Sequence, residues 1–239
     1  MAKRLDAFKR VRPFPGGSSL DLGCGAGAYT VAVADDFQSV VAVDVDAESL
    51  REFEESLAGS HLASRIRIQR MPAESLSLPS ESFDAVLAIE VLEHFEALDE
   101  AVAEAHRVLR PGGVLYVSVP NRLFPLETHM VRLGRREVPG RFLPFLPYIP
   151  PIHRRLARAR NFTGTELTSL MLRHNLVEVG ITYIMPPFDR WRFGRRFIRP
   201  VTQLLERTPF RRFGVSVLGV YTKPVAGEQH LSSPTTTVA

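Results

Sequence analysis

The feature that most constrains this chain is an alternation running through its first 120 residues, in which short apolar or β-branched runs are separated by stretches of helical periodicity. Residues 19–22, 40–44, 65–69, 83–89 and 114–119 read as strands. Several are apolar at nearly every position, as strands covered on both faces must be. Residues 28–34, 47–57 and 98–109 read as the helices between them. The last places Leu98, Ala101, Val102, Ala105, Val108 and Leu109 on one face, and Pro111-Gly112-Gly113 stops it. Strands and helices in this order predict an α/β chain with a parallel sheet between helical layers.

The regularity ends at Asn121. Residues 142–152 contain four prolines, too many for a regular helix or a central strand. An aperiodic stretch as long as 121–161 reads as a lid, a binding loop or a partner surface. Order returns with a helix over 163–174, capped by Thr163 or Thr165, and two closing strands over 177–185 and 215–222. We therefore expect one domain over 1–224, with a core at 18–120, an insertion at 121–161, a closing segment at 162–224 and a loose tail at 225–239.

Charge is divided between the halves. The whole chain carries a net +4, but residues 1–120 hold 11 basic and 19 acidic side chains, whereas residues 121–239 hold 19 and 7. Halves of net −8 and +12 face different kinds of partner. The single Cys24 cannot form an intrachain bridge and fits a reducing, cytoplasmic compartment. Residues 1–6 lead into no long apolar stretch, and no 18 consecutive apolar residues occur, so neither a secretory signal nor a membrane span is expected. With one Cys and no closely spaced His group, no metal site is expected either.

Leu20-Asp21-Leu22-Gly23-Cys24-Gly25-Ala26-Gly27 falls at a strand-to-helix turn, where missing side chains let a ligand approach the backbone. Gly23, Gly25 and Ala28 also satisfy the dinucleotide pattern G-x-G-x-x-A. Asp44, 21 positions after Gly23, can take the ribose hydroxyls of either cofactor class. Charge separates the classes. Between Pro13 and Leu50 there is no Lys or Arg, while Asp21, Asp35, Asp36, Asp44, Asp46 and Glu48 all lie there. Such a lining favours a cationic sulfonium, as in S-adenosylmethionine, over a pyrophosphate. Asp35, Asp36 and Glu48 read as solvated helix-end acids, Asp21 and Asp44 as ligand-facing ones.

Three further motifs follow in order: Val41-Ala42-Val43-Asp44, the run from Ser82 through Glu90 to Glu93-His94, and Leu109-Arg110-Pro111-Gly112-Gly113-Val114-Leu115. Together with the glycine loop they resemble the class I S-adenosylmethionine-dependent methyltransferases, above all the small-molecule branch that includes quinone-biosynthesis enzymes. The resemblance covers about residues 18–120, with Phe162-Thr163-Gly164-Thr165-Glu166-Leu167 extending it toward the closing strands. It implies a Rossmann-like, doubly wound, seven-stranded and mostly parallel sheet whose last strand is antiparallel, with an irregular insertion after the fifth strand. It also implies S-adenosyl-L-methionine as cofactor. Asp21, Gly23, Gly25 and Gly27 would surround the methionine portion, Asp44 the ribose, Ala73 and Glu74 the adenine, and Glu90 the floor beneath the sulfonium. One departure stands out: where relatives often have Gly-Asp-Ala, this chain has Met71-Pro72-Ala73, leaving Glu74 either to replace the missing Asp or to be a surface acid.

Methyl transfer is an in-line displacement whose leaving group needs no proton, so alignment and a dry cleft supply much of the rate and a base is optional. His94, just past the fourth strand, can take a hydroxyl proton or can merely order the loop. Glu127 and His129, two apart in the insertion, can bind or deprotonate a hydroxyl or can be structural. Residues 154–160 and 188–199 interleave arginines with apolar and aromatic side chains, which suits an anionic membrane surface, single-stranded nucleic acid or a solvated face. The prolyl apolar run at 142–152 favours the membrane. No Asn-Pro-Pro-Tyr-type motif follows the fourth strand, where Ile89-Glu90-Val91-Leu92 stands instead, and nucleic acid is disfavoured. The reading is thus a methyltransferase acting at oxygen of a small or lipid-like acceptor, cytoplasmic and peripheral at the membrane. A nicotinamide-dependent oxidoreductase and a non-catalytic cofactor-binding protein are its rivals.

Overall fold

In the computed structural model, which describes residues 1–134, 136–186 and 208–225, the five alternating strands lie side by side in parallel. They are β1 (Ser18–Leu22), β2 (Ser39–Asp44), β3 (Ile66–Arg70), β4 (Phe83–Ile89) and β5 (Leu109–Pro120). The closing strands β8 (Val177–Ile184) and β9 (Ser216–Thr222) complete a seven-stranded sheet of order β3-β2-β1-β4-β5-β9-β8. The last strand, β9, runs antiparallel to both neighbours. From β1 the chain winds outward through β2 and β3, and from β4 it winds the other way. The carboxyl ends of β1 and β4 therefore flank the crevice where such sheets hold ligands.

Each face of the sheet is sealed by helices. Residues of α4 (Leu98–Val108) and α6 (Gly164–Arg173), such as Val102, Leu167 and Met171, join one core cluster. Residues of α1 (Ala2–Val11), α2 (Ala28–Val33) and α3 (Ala47–Leu57), such as Phe8, Val33 and Phe53, join the other. Of the two threonines expected as caps it is Thr163 that caps α6, through a reciprocal box with Glu166.

Three features depart from the sequence reading. Helix α1 was not assigned from its periodicity, because only Leu5, Ala7 and Phe8 of its ten residues are buried. Phe8 docks edge-on against Tyr116 at 5.6 Å. Strand β5 already begins at Leu109, so Pro111-Gly112-Gly113 lies within it, and its register against β4 shifts between Phe83 and Ala85 to absorb that segment. The insertion is not without structure. It holds the antiparallel pair β6 (Met130–Leu133) and β7 (Arg136–Pro139), then α5 (Pro150–Leu156). Proline is compatible with α5 because it occupies the first turn, where no helical N–H bond is lost. The arginine- and aromatic-rich stretch 188–199 and nearly all of the expected tail lie outside the described residues. Among the described residues no helix is long and apolar enough to cross a membrane.

Candidate active site

The crevice is floored by the loop after β1. Gly27 caps α2 at φ 79°, and a β-carbon there would stand 2.1 Å from the ring of buried Phe53. Gly25, at φ 51°, has nothing within 4 Å of its β-carbon position, so it leaves a cradle open. Asp44 braces that loop: one carboxylate oxygen accepts from the Gly25 N–H at 2.8 Å, the other from the Asp46 N–H at 2.9 Å. Asp21 is buried and accepts from the Thr30 hydroxyl at 2.6 Å. Burial pushes its carboxyl up to about 7 against the pull of Thr30, with Asp44 adding to the rise. The same field is felt by Cys24, whose thiol is pushed well up by burial and then by Asp21 and Asp44.

Glu90 follows β4 in the left-handed region, at φ 56°. Such a backbone is sparsely populated by non-glycine residues and clusters at functional sites. Its carboxylate accepts from the Ser118 hydroxyl at 2.6 Å and pairs with the Arg4 guanidinium at 3.0 Å. Arg4 also donates to the Tyr29 hydroxyl and, at 3.1 Å, to Ser216. Its Nε is buried without a hydrogen-bond partner. The chain segment free of Lys and Arg around the glycine loop is thus supplied with one cation from outside, across the sheet edge from α1.

Beside Glu90 the insertion meets the end of β4. The imidazoles of His94 and His129 lie edge to face with centroids 5.3 Å apart. Glu93 is buried with both carboxylate oxygens unpartnered, one of them 3.9 Å from His129 Nε2. Burial and then the Glu90 charge push its carboxyl up to about 8. Burial and then the His129 charge hold His94 below its ordinary value. Behind His129 sits Glu127, whose side chain is fully buried. One of its oxygens accepts from the His129 backbone N–H at 2.8 Å and lies 3.4 Å from His129 Nδ1. The other meets His153 Nε2 at 2.5 Å and the Asn161 amide at 3.0 Å. Burial would raise Glu127, yet these hydrogen bonds outweigh it and hold the carboxyl far below the usual carboxylate range. The sequence has no closely spaced His group, but the fold brings Glu93, His94 and His129 together with ligand atoms within 4.8 Å of one another, a spacing compatible with one shared cation.

The remaining expected residues fall as follows. Ala73 is a core residue packed with Leu76, and Glu74 is half-buried in the loop after β3. Near that loop the carbonyl oxygen of Gln69 is buried without a partner. Asn121, where the insertion begins, tethers the chain before β9 by donating to the Arg212 and Gly214 carbonyls. Arg4, Gln69, Glu93, His153 and Asn161 were missed. Glu93 stood in the motif after β4, but only burial reveals that it lacks partners, and nothing local marks the others.

Residues 20–117 match the family model described as a methyltransferase domain. The sheet order and switch-point cradle agree with that match. Residues 20–117 are thus a methyltransferase domain, shared with S-adenosylmethionine-dependent enzymes. S-adenosylmethionine is the cofactor of these enzymes, and the open Gly25 cradle among acids fits it. Among curated relatives, the ubiquinone biosynthesis O-methyltransferase of Rhizobium rhizogenes is 32% identical over 117 residues, covering 48% of this chain and 45% of that protein. The “Probable S-adenosylmethionine-dependent methyltransferase Rv3030” of Mycobacterium tuberculosis is 32% identical over 165 residues, covering 68% and 49%. The chain thus spans about half the length of the curated methyltransferases it matches. Among solved folds, an S-adenosylmethionine dependent methyltransferase from Mesorhizobium loti superposes with a TM-score of 0.62 at 19% identity, covering 91% of this chain and 96% of that one. The [4+2]-cyclase SpnF superposes at 0.64 and 20% identity, covering 93% and 81%. One methyltransferase-like scaffold therefore hosts different reactions, and the chemistry must be argued from side chains.

Proposed function

We propose that this chain transfers the methyl group of S-adenosylmethionine to an oxygen of a small or lipid-like acceptor, with His129 removing the hydroxyl proton. The observation that carries the reading is the position of His129, backed by the ionised Glu127 and set beside His94 and Glu93, which follow β4. Oxygen as the target is supported by relatives named as O-methyltransferases. When bound, S-adenosylmethionine supplies an electrophilic methyl group on a sulfonium.

The residues divide the remaining work. Gly25 keeps the cradle clear, Gly23 and Gly27 let Val91 and Phe53 pack against the loop that forms it, and Asp21 and Asp44 set its negative field. Asp44 exchanges a backbone contact for the ribose hydroxyls, and Arg4 attracts the carboxylate of the methionine portion. The orphan side-chain oxygen of Gln69, near the end of β3, accepts from the adenine amine. Glu127 stabilises the imidazolium that forms when His129 takes a proton, and its own donors, His153 and Asn161, fix its orientation. Glu93, protonated at neutral pH, can donate to an acceptor oxygen, and His94 stays neutral below the ordinary histidine value of 6.5.

Labelled S-adenosylmethionine incubated with the protein and a total cell extract should place label in the small-molecule or lipid fraction, on oxygen. His129→Ala should lower kcat about 100-fold. Its cofactor dissociation constant, measured by calorimetry, should stay unchanged. Label found only in nucleic acid, or an unchanged kcat in the variant, would overturn the assignment.

A further inference from the structure

The insertion has a second face that methyl transfer does not use. Phe142, Phe145, Tyr148, Ile149 and Ile152 are between 43% and 66% exposed, within eleven consecutive residues. Burying such side chains is favourable and nothing among the described residues covers them. Phe145 is doubly unfavourable as it stands: its backbone is left-handed at φ 64° and its ring is exposed, tilted by 44° against Tyr148 at 5.9 Å. A bulky residue held that way is an outlier among folded chains.

Charge says what covers this face. Residues 121–161 contain nine arginines, no lysine and two glutamates. One of those glutamates, Glu127, is buried on His153, and the other, Glu137, pairs with Arg158. Arg141 lies over the Phe142 ring at 5.0 Å, and Arg154 and Arg155 are exposed on α5 beside Ile152. Among the described residues none of these three is paired with a carboxylate. Aliphatic and prolyl side chains offer nothing to bases, so stacking on nucleic acid would leave Ile149 and Ile152 wet. Side chains that sink into acyl chains with guanidinium heads at the surrounding phosphates match an anionic bilayer at both levels.

We propose that the 142–155 face docks this protein onto an anionic lipid bilayer. The opposite side of α5 carries His153, which holds Glu127, so the bilayer and the acceptor site share one helix. Docking would place the cleft entrance where an amphiphilic acceptor is concentrated. The docking claim does not depend on transfer taking place.

Vesicle co-sedimentation of the full chain tests it. Vesicles of phosphatidylcholine with phosphatidylglycerol should bind the protein at least ~10-fold more tightly than phosphatidylcholine alone, since each surface arginine contributes about fivefold at an anionic bilayer. Phe142→Ser combined with Ile149→Ser should lower binding at least ~10-fold, and Arg154→Gln combined with Arg155→Gln should lower it and flatten its salt dependence. S-adenosylmethionine binding, unchanged in these variants, reports that the fold is intact. Equal binding to both vesicle types would overturn the proposal. So would wild-type binding retained by both double variants, or a single-stranded oligonucleotide that binds through the same residues while vesicles do not.

Discussion

Glu93 is the side chain whose surroundings cost most: a buried carboxyl with no hydrogen-bond donor, pushed up to about 8. Because the folded chain holds a proton there that the unfolded chain releases near 4.5, stability should decline as pH climbs from that value to about 8. Glu93→Gln should remove this decline and gain about 1–3 kcal/mol near pH 8. Thermal melts at both ends of the range check it, and parallel pH slopes for variant and wild type would mean that the carboxyl has a partner. The glycine loop separates cradle from scaffold. Gly27→Ala forces a β-carbon into Phe53 from a left-handed backbone and should cost about 2–4 kcal/mol. Gly25→Ala should cost about 1 kcal/mol yet weaken cofactor affinity, because its β-carbon enters open space where the cofactor would lie. Denaturant melts and calorimetry on the pair should give opposite rankings. At this scale the glycines were readable from their pattern, whereas Glu93 was not, since burial belongs to neighbours distant in sequence.

Among elements, α1 and the insertion matter most. Helix α1 is too weakly patterned to be read from periodicity, yet it delivers Arg4 across the sheet edge to Glu90, Tyr29 and Ser216. Arg4→Leu should weaken S-adenosylmethionine binding about tenfold, the loss of one charge-assisted contact. An unchanged dissociation constant would reduce Arg4 to a clasp on Glu90. Four prolines hid α5 because their effect depends on position, and a first-turn proline costs the helix no bond. The strands of the core were readable to within a few residues, apart from β5, because both of their faces had to be apolar.

For the whole molecule, the acidic half builds the cradle and the basic half supplies most of the acceptor side. A saturating S-adenosylmethionine concentration, ~100-fold above its dissociation constant, should raise the melting temperature by about 5 °C or more. NADH should leave it unchanged, because the lining repels a pyrophosphate; the reverse ranking would favour an oxidoreductase.

The sequence by itself determined the parallel sheet, the glycine turn at its switch point and the preference for a cationic donor. Those follow from periodicity, from residues that tolerate left-handed backbone and from charges lying close together along the chain. Only the tertiary structure decided which side chains meet at the proposed acceptor side. It brought Arg4 to Glu90, His129 to His94 and Glu93, and His153 to Glu127. Such meetings depend on how helices and an insertion pack over a sheet edge, and packing is a property of surfaces that no local pattern encodes.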